Sequence, residues 1–176
     1  LSFAKKGLEV ISLNPSLLLG PNDPTGASTS AIQLFLDDKV PVAPCGGVGF
    51  VDVRDVAEIS VKALLKGQSG ERYLLNSSNM SFLEFYQRIA RLADKPAPMM
   101  KMPSLTRKAL SWFPKIKKIG LHLKREDVEL ASYFWYVDSE KAMNTLDFKP
   151  RDSMDTLYDT VESLQKKGED FSWFSE

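Results

Sequence analysis

Short apolar runs alternate with helical patterns through the first half of the chain, and this alternation constrains the fold more than any other feature. Residues 10–13 form an apolar, partly β-branched run that ends at Asn-Pro, which is typical of a buried strand. Residues 50–53 and 72–75 predict two further short strands, and a helical period begins at Asp55. Strands that alternate with helices favour a parallel α/β sheet.

The helix that begins at Asp55 carries apolar residues around most of its circumference, so we expect it to be buried on more than one side. Lys66 and Gly67 then give it a cationic last turn and a glycine C-cap. The apolar positions of this helix are Val56, Ala57, Ile59, Val61, Ala63, Leu64 and Leu65.

The second half of the chain is mostly helical. Ser81 and Glu84 form a capping box, in which the serine accepts from the third helical N–H and the glutamate reaches back. Phe85 and Ile89 then fall on one face of that helix. Further helices are predicted at residues 103–113 and 126–134, and from Ser153 onward. We place the change from α/β to helical organisation near Ser77, although the order of elements also permits an unrelated α+β domain.

Composition excludes several classes of function. The 176 residues are 43% hydrophobic, enough for one domain with a core, and 23 basic residues balance 23 acidic ones. That balance disfavours nucleic-acid and membrane partners. Cys45 is the single cysteine and His122 the single histidine, which excludes an intrachain disulfide and a multi-histidine metal site. With no long apolar run, the sequence predicts a cytoplasmic protein.

Four segments, taken in order, carry a family resemblance. Together they resemble the extended short-chain dehydrogenases/reductases, the NAD-dependent epimerase/dehydratase family. The resemblance implies the C-terminal part of a doubly wound, Rossmann-type sheet at residues 1–77, followed by a small, mostly helical substrate-side region at residues 78–176. The segments are residues 7–21 (Gly-Leu-Glu-Val to Gly-Pro), 50–57 (Phe-Val-Asp-Val-Arg-Asp-Val-Ala), 70–75 (Gly-Glu-Arg-Tyr-Leu-Leu) and 138–151 (Asp-Ser-Glu-Lys-Ala to Lys-Pro-Arg).

The resemblance also implies a cofactor site. In the family, the residues matched by Pro15 and Ser16 border the nicotinamide of NAD or NADP. Proline lacks an N–H and ends the strand, so we expect the Ser16 N–H and hydroxyl to face the carboxamide of that ring. Leu17, Leu18 and Phe50 are predicted to lie on the substrate side.

No catalytic residue is assigned within the chain. The family's glycine-rich loop and its Tyr-x-x-x-Lys motif precede the first matching segment and are absent here, so we expect the tyrosine and lysine upstream of Leu1. The isolated chain is therefore predicted to be inactive. For Asp55 we expect a helix cap rather than catalysis. Arg54 has Asp52, Asp55 or a more distant carboxylate as its candidate partner.

Departures from the family pattern indicate the branch. Nucleotide-sugar members place asparagine where Leu17 stands, and Arg-Asp, whose arginine binds the diphosphate, where Val48 and Gly49 stand. The chain therefore resembles the dihydroflavonol-reductase-like branch, which reduces carbonyls of smaller, less charged substrates. A nucleotide-sugar epimerase or dehydratase and a non-catalytic dinucleotide-binding sensor are the alternatives. Asp147 replaces a glycine in a turn, which an aspartate tolerates at modest cost.

Two aromatic groups have two interpretations each. Residues 134–136 (Phe-Trp-Tyr) line a substrate pocket or, as is more usual at a helix-to-strand junction, belong to the core. The aromatic tail at residues 171–174 docks onto its own domain or forms an oligomer contact, so a homodimer is an open alternative.

Overall fold

The computed structural model describes residues 6–99, 101 and 129–172. The helix predicted at residues 103–113, residues 126–128 of the one predicted at 126–134 and the end of the aromatic tail lie outside this range. Within the rest of the second helix, residues 129–130 are helical, a turn follows and Phe134 already belongs to a strand, so its predicted extent to residue 134 is wrong. The elements in chain order are β1 (Ser12–Pro15), β2 (Leu17–Leu19), α1 (Ser30–Leu36), β3 (Gly47–Asp52), α2 (Val53–Lys66), β4 (Arg72–Leu75), β5 (Ser78–Ser81), α3 (Phe82–Leu92), β6 (Phe134–Trp135), α4 (Glu140–Leu146) and α5 (Ser153–Ser172).

The described strands form two sheets. In the first, β1 pairs in parallel with β4, so that Pro15 lies opposite Leu75. In the second, β3 is the centre: β2 and β6 pair with it in parallel and β5 pairs with it antiparallel. The prediction of an α/β fold with parallel sheets is confirmed. Strand β5 was not predicted, because its Ser-Asn-Met-Ser sequence has one apolar residue and β3 supplies its pairing.

Helix α3 packs as its sequence pattern predicts. Phe85 and Ile89 are fully buried, and the Ser81 hydroxyl accepts from the Glu84 N–H at 3.3 Å. The reciprocal half of the capping box is wrong, because the Glu84 carboxylate accepts from Arg88 one turn later, at 2.7 Å. Stable pairing at positions i and i+4 competes with the backward reach to the cap.

Helix α2 buries one face only. Ile59 and Ala63 pack against β3, β4 and α4 in one apolar cluster. On the other side Val61, Leu64 and Leu65 are 63%, 82% and 86% exposed. The expectation of burial on more than one side is therefore wrong for the described residues, since no described element covers this second face.

The ends of α2 and α4 show two different ways of stopping a helix. Gly67 caps α2 with φ −71°, so it is needed for space: an added Cβ would lie 2.6 Å from the Ala63 carbonyl oxygen, a backbone atom. Asp147 caps α4 in the left-handed conformation, with φ 55° and ψ 44°. The turn predicted to survive the replacement of glycine by Asp147 is confirmed.

Candidate functional site

The candidate site lies where β1 and β4 end side by side. Pro15 is the last residue of β1, opposite Leu75, the last residue of β4. Pro15 is exposed and Ser16, which follows it, is half-buried. Ligands of open α/β sheets bind at this carboxyl edge, so Pro15 and Ser16 lie at the end of the strand where the sequence predicts them. Their contact with a cofactor stays a prediction.

The Ser16 N–H is not free, which corrects one expectation. It donates to the Leu75 carbonyl at 2.9 Å and so continues the ladder between β1 and β4. In a parallel pair, alternate residues face the same neighbour, and the Ser12 N–H also points to this side. Leu13 and Pro15 therefore direct their backbone groups to the other edge of β1. Of the two Ser16 groups predicted to face a ligand, the hydroxyl therefore remains the candidate.

Asn76, the residue after β4, binds that hydroxyl. The Ser16 Oγ donates to the Asn76 Oδ1 at 2.9 Å, and Asn76 is only 6% exposed. The Asn76 Nδ2 donates in turn to the Asn79 Oδ1 and to the Val137 carbonyl, both at 3.1 Å. A buried amide with this many partners holds its neighbours rigidly.

Asn79 and Val137 complete the group, which we call the amide cluster (Ser16, Asn76, Asn79 and Val137). The Asn79 Nδ2 donates to the Val137 carbonyl at 2.9 Å, and the Val137 N–H donates back to the Asn79 Oδ1 at 3.1 Å. The Ser139 hydroxyl donates to the Asn76 carbonyl at 3.0 Å. The sequence analysis missed this cluster; its one local signal is the polar Asn-Ser-Ser-Asn run directly after an apolar strand.

Gly49 makes room for the amide cluster. A Cβ at this position would lie 2.6 Å from the Asn79 Oδ1 and 2.7 Å from the Asn76 Oδ1. Real Cβ atoms do not approach other atoms this closely, so a side chain on Gly49 would displace one or both asparagines. Absence of a side chain at Gly49 is therefore a condition for the cluster.

The residues predicted to lie on the substrate side are mainly packing residues. Leu17 and Leu18 are half-buried and pack against opposite apolar clusters, one on each face of the strand pair. Phe50, opposite Leu17, is fully buried, and its ring centroid lies 6.0 Å from that of Phe85. Contact of these three residues with a substrate stays a prediction.

A charged group joins the start of α2 to the C-terminal helix α5. Asp52, not Asp55, is the N-cap: its Oδ1 accepts from the Arg54 N–H at 2.8 Å. The Arg54 guanidinium bridges Asp52 and Asp159, each at 2.7 Å. Burial opposes the ionised form of Asp52, but hydrogen bonds from Arg54 hold the pKa of this carboxyl below its usual value.

Asp55 has a different structural role. It is buried and accepts from the Arg151 N–H at 2.9 Å and from the Arg151 Nε at 2.8 Å. The predicted cap at Asp55 is thus wrong, because Asp52 occupies that position and Arg151 engages Asp55. With their carboxylates bound by arginines, Asp52 and Asp55 tie segments together.

Asp23 organises the loop between β2 and α1. Its carboxylate accepts from the backbone N–H groups of Thr25, Gly26, Ser28 and Thr29 at 2.9–3.2 Å. Burial opposes the charged form, but these bonds and those from the threonine hydroxyls outweigh it and lower the pKa of Asp23 to about 2. The carboxylate therefore occupies the anion position that the loop's N–H groups create.

A cleft of about 630 Å³ opens between this loop and α5, away from Pro15 and Ser16. Its cationic side chains are engaged by carboxylates: Arg54 by Asp52 and Asp159, and Lys166 by Glu162 at 2.9 Å.

In the described ranges no group of three or more His, Cys, Asp or Glu side chains could hold a metal ion. Nor does any helix of the described part have the length and apolar character to cross a membrane.

The aromatic residues around β6 are exposed. Phe134, Trp135 and Tyr136 are 58%, 52% and 48% exposed, so the core interpretation is wrong and the pocket interpretation stays a prediction. The Phe134 and Tyr136 rings contact edge to face at 5.4 Å, and the Trp135 Nε1 donates to the Leu130 carbonyl at 2.9 Å. Val137, which follows, belongs to the amide cluster.

Comparison with known proteins gives relatives over nearly the whole chain, although no protein-family model matches it. A Synechocystis sp. protein named "Putative dihydroflavonol 4-reductase" is 27% identical over 179 residues, which cover 96% of this chain and 52% of the relative. Cinnamoyl-CoA reductase 1 of Arabidopsis thaliana is 28% identical, with 93% and 42% covered. A nucleoside-diphosphate-sugar epimerase from Pseudomonas aeruginosa superimposes with a TM-score of 0.77 at 24% identity, with 95% and 51% covered.

The relatives and structural neighbours of this chain include proteins named as a dihydroflavonol 4-reductase, a cinnamoyl-CoA reductase and a nucleoside-diphosphate-sugar epimerase. The family resemblance and the Rossmann-like α/β fold are thereby confirmed. Solved structures of the same fold include one complexed with NADPH and one complexed with NAD. The chain spans about half the length of the curated relatives and solved structures that it matches.

Proposed function

We propose that this chain is the C-terminal, substrate-side portion of an NAD(P)-dependent oxidoreductase. The parent enzyme transfers a hydride between nicotinamide and the carbonyl or alcohol of a small substrate in the cytoplasm. Residues 1–77 complete its dinucleotide-binding domain and residues 78–176 form the substrate-side region. The observation that carries the proposal is the Ser16 hydroxyl, held by Asn76 at the shared carboxyl edge of β1 and β4.

The residues at this edge fit a nicotinamide group. The exposed Pro15 ring offers a flat apolar surface, and the half-buried Ser16 hydroxyl offers one polar atom beside it. When bound, the dinucleotide supplies or accepts the hydride. The chain's own contribution is orientation: Pro15 packs against the ring and Ser16 binds its carboxamide. The distinction between NAD and NADP depends on residues that recognise the ribose, which belong to the other part of the fold.

The surroundings of Val48 and Gly49 favour a reductase over a nucleotide-sugar enzyme. The Val48 side chain is buried in the apolar core. An arginine at this position would therefore have to leave the core in order to reach a ligand. Gly49 has no room for a side chain beside the two asparagines. The Arg-Asp pair of nucleotide-sugar members is therefore incompatible with the amide cluster, which supports a substrate without a diphosphate.

The proton transfer of this reaction requires residues outside the chain. Carbonyl reduction needs a positioned acid, which typically contributes about 10²–10⁴-fold to the rate. The family's Tyr-x-x-x-Lys motif is absent from the sequence, and the described aspartates of the charged group are bound by arginines. We propose that a longer polypeptide carries the tyrosine and lysine, and that the chain alone is inactive.

Calorimetric titration with NADH and NADPH, together with a carbonyl-reduction assay, tests this division. The chain alone is expected to bind neither dinucleotide at micromolar concentration, because most affinity comes from the phosphate-binding turn. A longer polypeptide with the upstream residues is expected to bind one of them and to reduce carbonyl substrates. Micromolar binding or turnover by the chain alone would contradict the proposal. Dinucleotide binding by the longer polypeptide without turnover would favour the sensor alternative.

A further inference from the structure

The orientation of the Asn76 amide is fixed by its partners. Its Nδ2 faces two acceptors, the Val137 carbonyl and the Asn79 Oδ1. A flipped amide would bring the Asn76 Oδ1 against these two oxygens. Asn79 does not flip to compensate, because its Oδ1 accepts from the Val137 N–H and its Nδ2 donates to the Val137 carbonyl. The Asn76 Oδ1 therefore faces Ser16.

This orientation determines what the Ser16 hydroxyl can offer. The contact between the Ser16 Oγ and the Asn76 Oδ1, at 2.9 Å, requires one proton, and the amide oxygen has none. A serine hydroxyl carries one proton and two lone pairs. Because the proton is committed to Asn76, the Ser16 Oγ faces the carboxyl edge of the sheet as an acceptor only.

We propose that Asn76 is a positioning residue that makes Ser16 a hydrogen-bond acceptor for the nicotinamide carboxamide. The inference rests on the proposed function and extends it to a residue that does not contact the ligand. An acceptor selects the NH₂ end of the carboxamide and so fixes which way the ring faces. It also disfavours a group without a donor at that position, such as the acetyl group of 3-acetylpyridine adenine dinucleotide. Asn76 is buried, so water does not readily replace its bond to Ser16.

The rotamer of Ser16 tests the positioning without any cofactor. In the purified chain, the two three-bond Hα–Hβ couplings of Ser16 are expected to have the values of one staggered rotamer, either one large and one small or both small, rather than averaged intermediate values. Asn76→Ala should average them, because the hydroxyl loses its acceptor. Asn79→Ala is the matched control. It removes one of the two acceptors of the Asn76 Nδ2 and both bonds between Asn79 and Val137, but the Val137 carbonyl still accepts from the Asn76 Nδ2 and keeps the Asn76 Oδ1 toward Ser16. The Ser16 couplings should therefore remain those of one rotamer. Asn76→Leu, which keeps the volume, replaces Asn76→Ala should that variant not fold.

Cofactor preference tests the consequence in the longer polypeptide. The wild type is expected to bind the natural dinucleotide about two- to tenfold more tightly than the 3-acetylpyridine analogue, the effect of one neutral hydrogen bond. Asn76→Ala should reduce this preference and Asn79→Ala should retain it. Equal loss in both variants, or no loss in Asn76→Ala, would overturn the proposal. If Ser16→Ala leaves binding of both dinucleotides unchanged, the cofactor site itself is wrong, which separates the two failures.

Discussion

Replacing Gly49 by alanine should dismantle the amide cluster. The new Cβ would lie 2.6 Å and 2.7 Å from the Asn79 and Asn76 Oδ1 atoms and 3.0 Å from the Trp135 carbonyl. Both asparagines must move, and three hydrogen bonds between them and Val137 are lost. At about 1 kcal/mol each, and after about 0.5–1 kcal/mol is offset by the better strand conformation of alanine, the chain should lose about 2 kcal/mol of stability.

Urea unfolding followed by circular dichroism measures this loss. The midpoint should fall while the slope stays constant, because the folded state keeps its compactness. Asn79→Ala removes one of the two clashing oxygens, so the double variant Gly49→Ala/Asn79→Ala should lose less than the sum of the two single variants. Additive losses, or a loss below about 0.5 kcal/mol in Gly49→Ala, would show that the cluster yields without cost and that our account of Gly49 is wrong.

Three further predictions concern the ends of helices and one loop. Ser81→Ala should lower the free energy of unfolding by about 1 kcal/mol, because the Glu84 N–H loses its acceptor; unchanged thermal unfolding would contradict this. Asp55→Asn should cost about 2 kcal/mol, because its charge-assisted bonds to Arg151 are lost in a buried position. Asp94→Asn is the control: Asp94 is exposed in a left-handed turn that asparagine also tolerates, so this variant should stay within about 0.5 kcal/mol of wild type. The pKa of Asp23 is lowered to about 2, so its contribution is present above the unfolded value near 4 and is lost as the pH falls toward 2. The stability difference between wild type and Asp23→Asn should therefore shrink over that interval, and a difference independent of pH would refute the argument.

Helix α3 shows how far local sequence can predict structure. Its cap at Ser81 and its buried residues Phe85 and Ile89 follow from the spacing of residues within a few turns. The Glu84 side chain was assigned wrongly because two local partners compete for it. Arg88 lies four residues after Glu84 and the cap three residues before it, so both are within reach, and the sequence pattern does not say which one the carboxylate binds.

Features that depend on partners distant in the sequence could not be predicted from local patterns. Asp52 and Asp55 are both acceptable N-caps by residue type. Asp55 instead binds Arg151, which lies about a hundred residues later in the chain, and Asp52 is the cap. The exposed face of α2 is the opposite case: its apolar residues predict that something covers this face, but they do not say whether the described part of the chain supplies that cover.

The candidate site likewise has one part that local sequence predicts and one part that depends on distant residues. The position of Pro15 and Ser16 at the end of a strand followed from the apolar run and its Asn-Pro ending. The amide cluster did not, since no local pattern links Ser16 to Asn76 or Asn76 to Val137. The family resemblance identified Gly49 as a position where this chain differs from nucleotide-sugar enzymes. The physical reason is that Asn76 and Asn79 leave no space for a side chain there, which only the structure shows.

The amide cluster also has a consequence for the order of folding. Ser16 and Asn76 are 60 residues apart, and Asn76 and Val137 are 61 residues apart, so the cluster closes two long loops in succession. Contacts of such separation require the closure of a long loop before they stabilise the chain, so we expect them to form late in folding. Substitutions in the cluster should then accelerate unfolding far more than they slow folding, since their bonds are absent from the transition state. The residues that hold the candidate site would thus be the last to assemble and would set the lifetime of the folded chain.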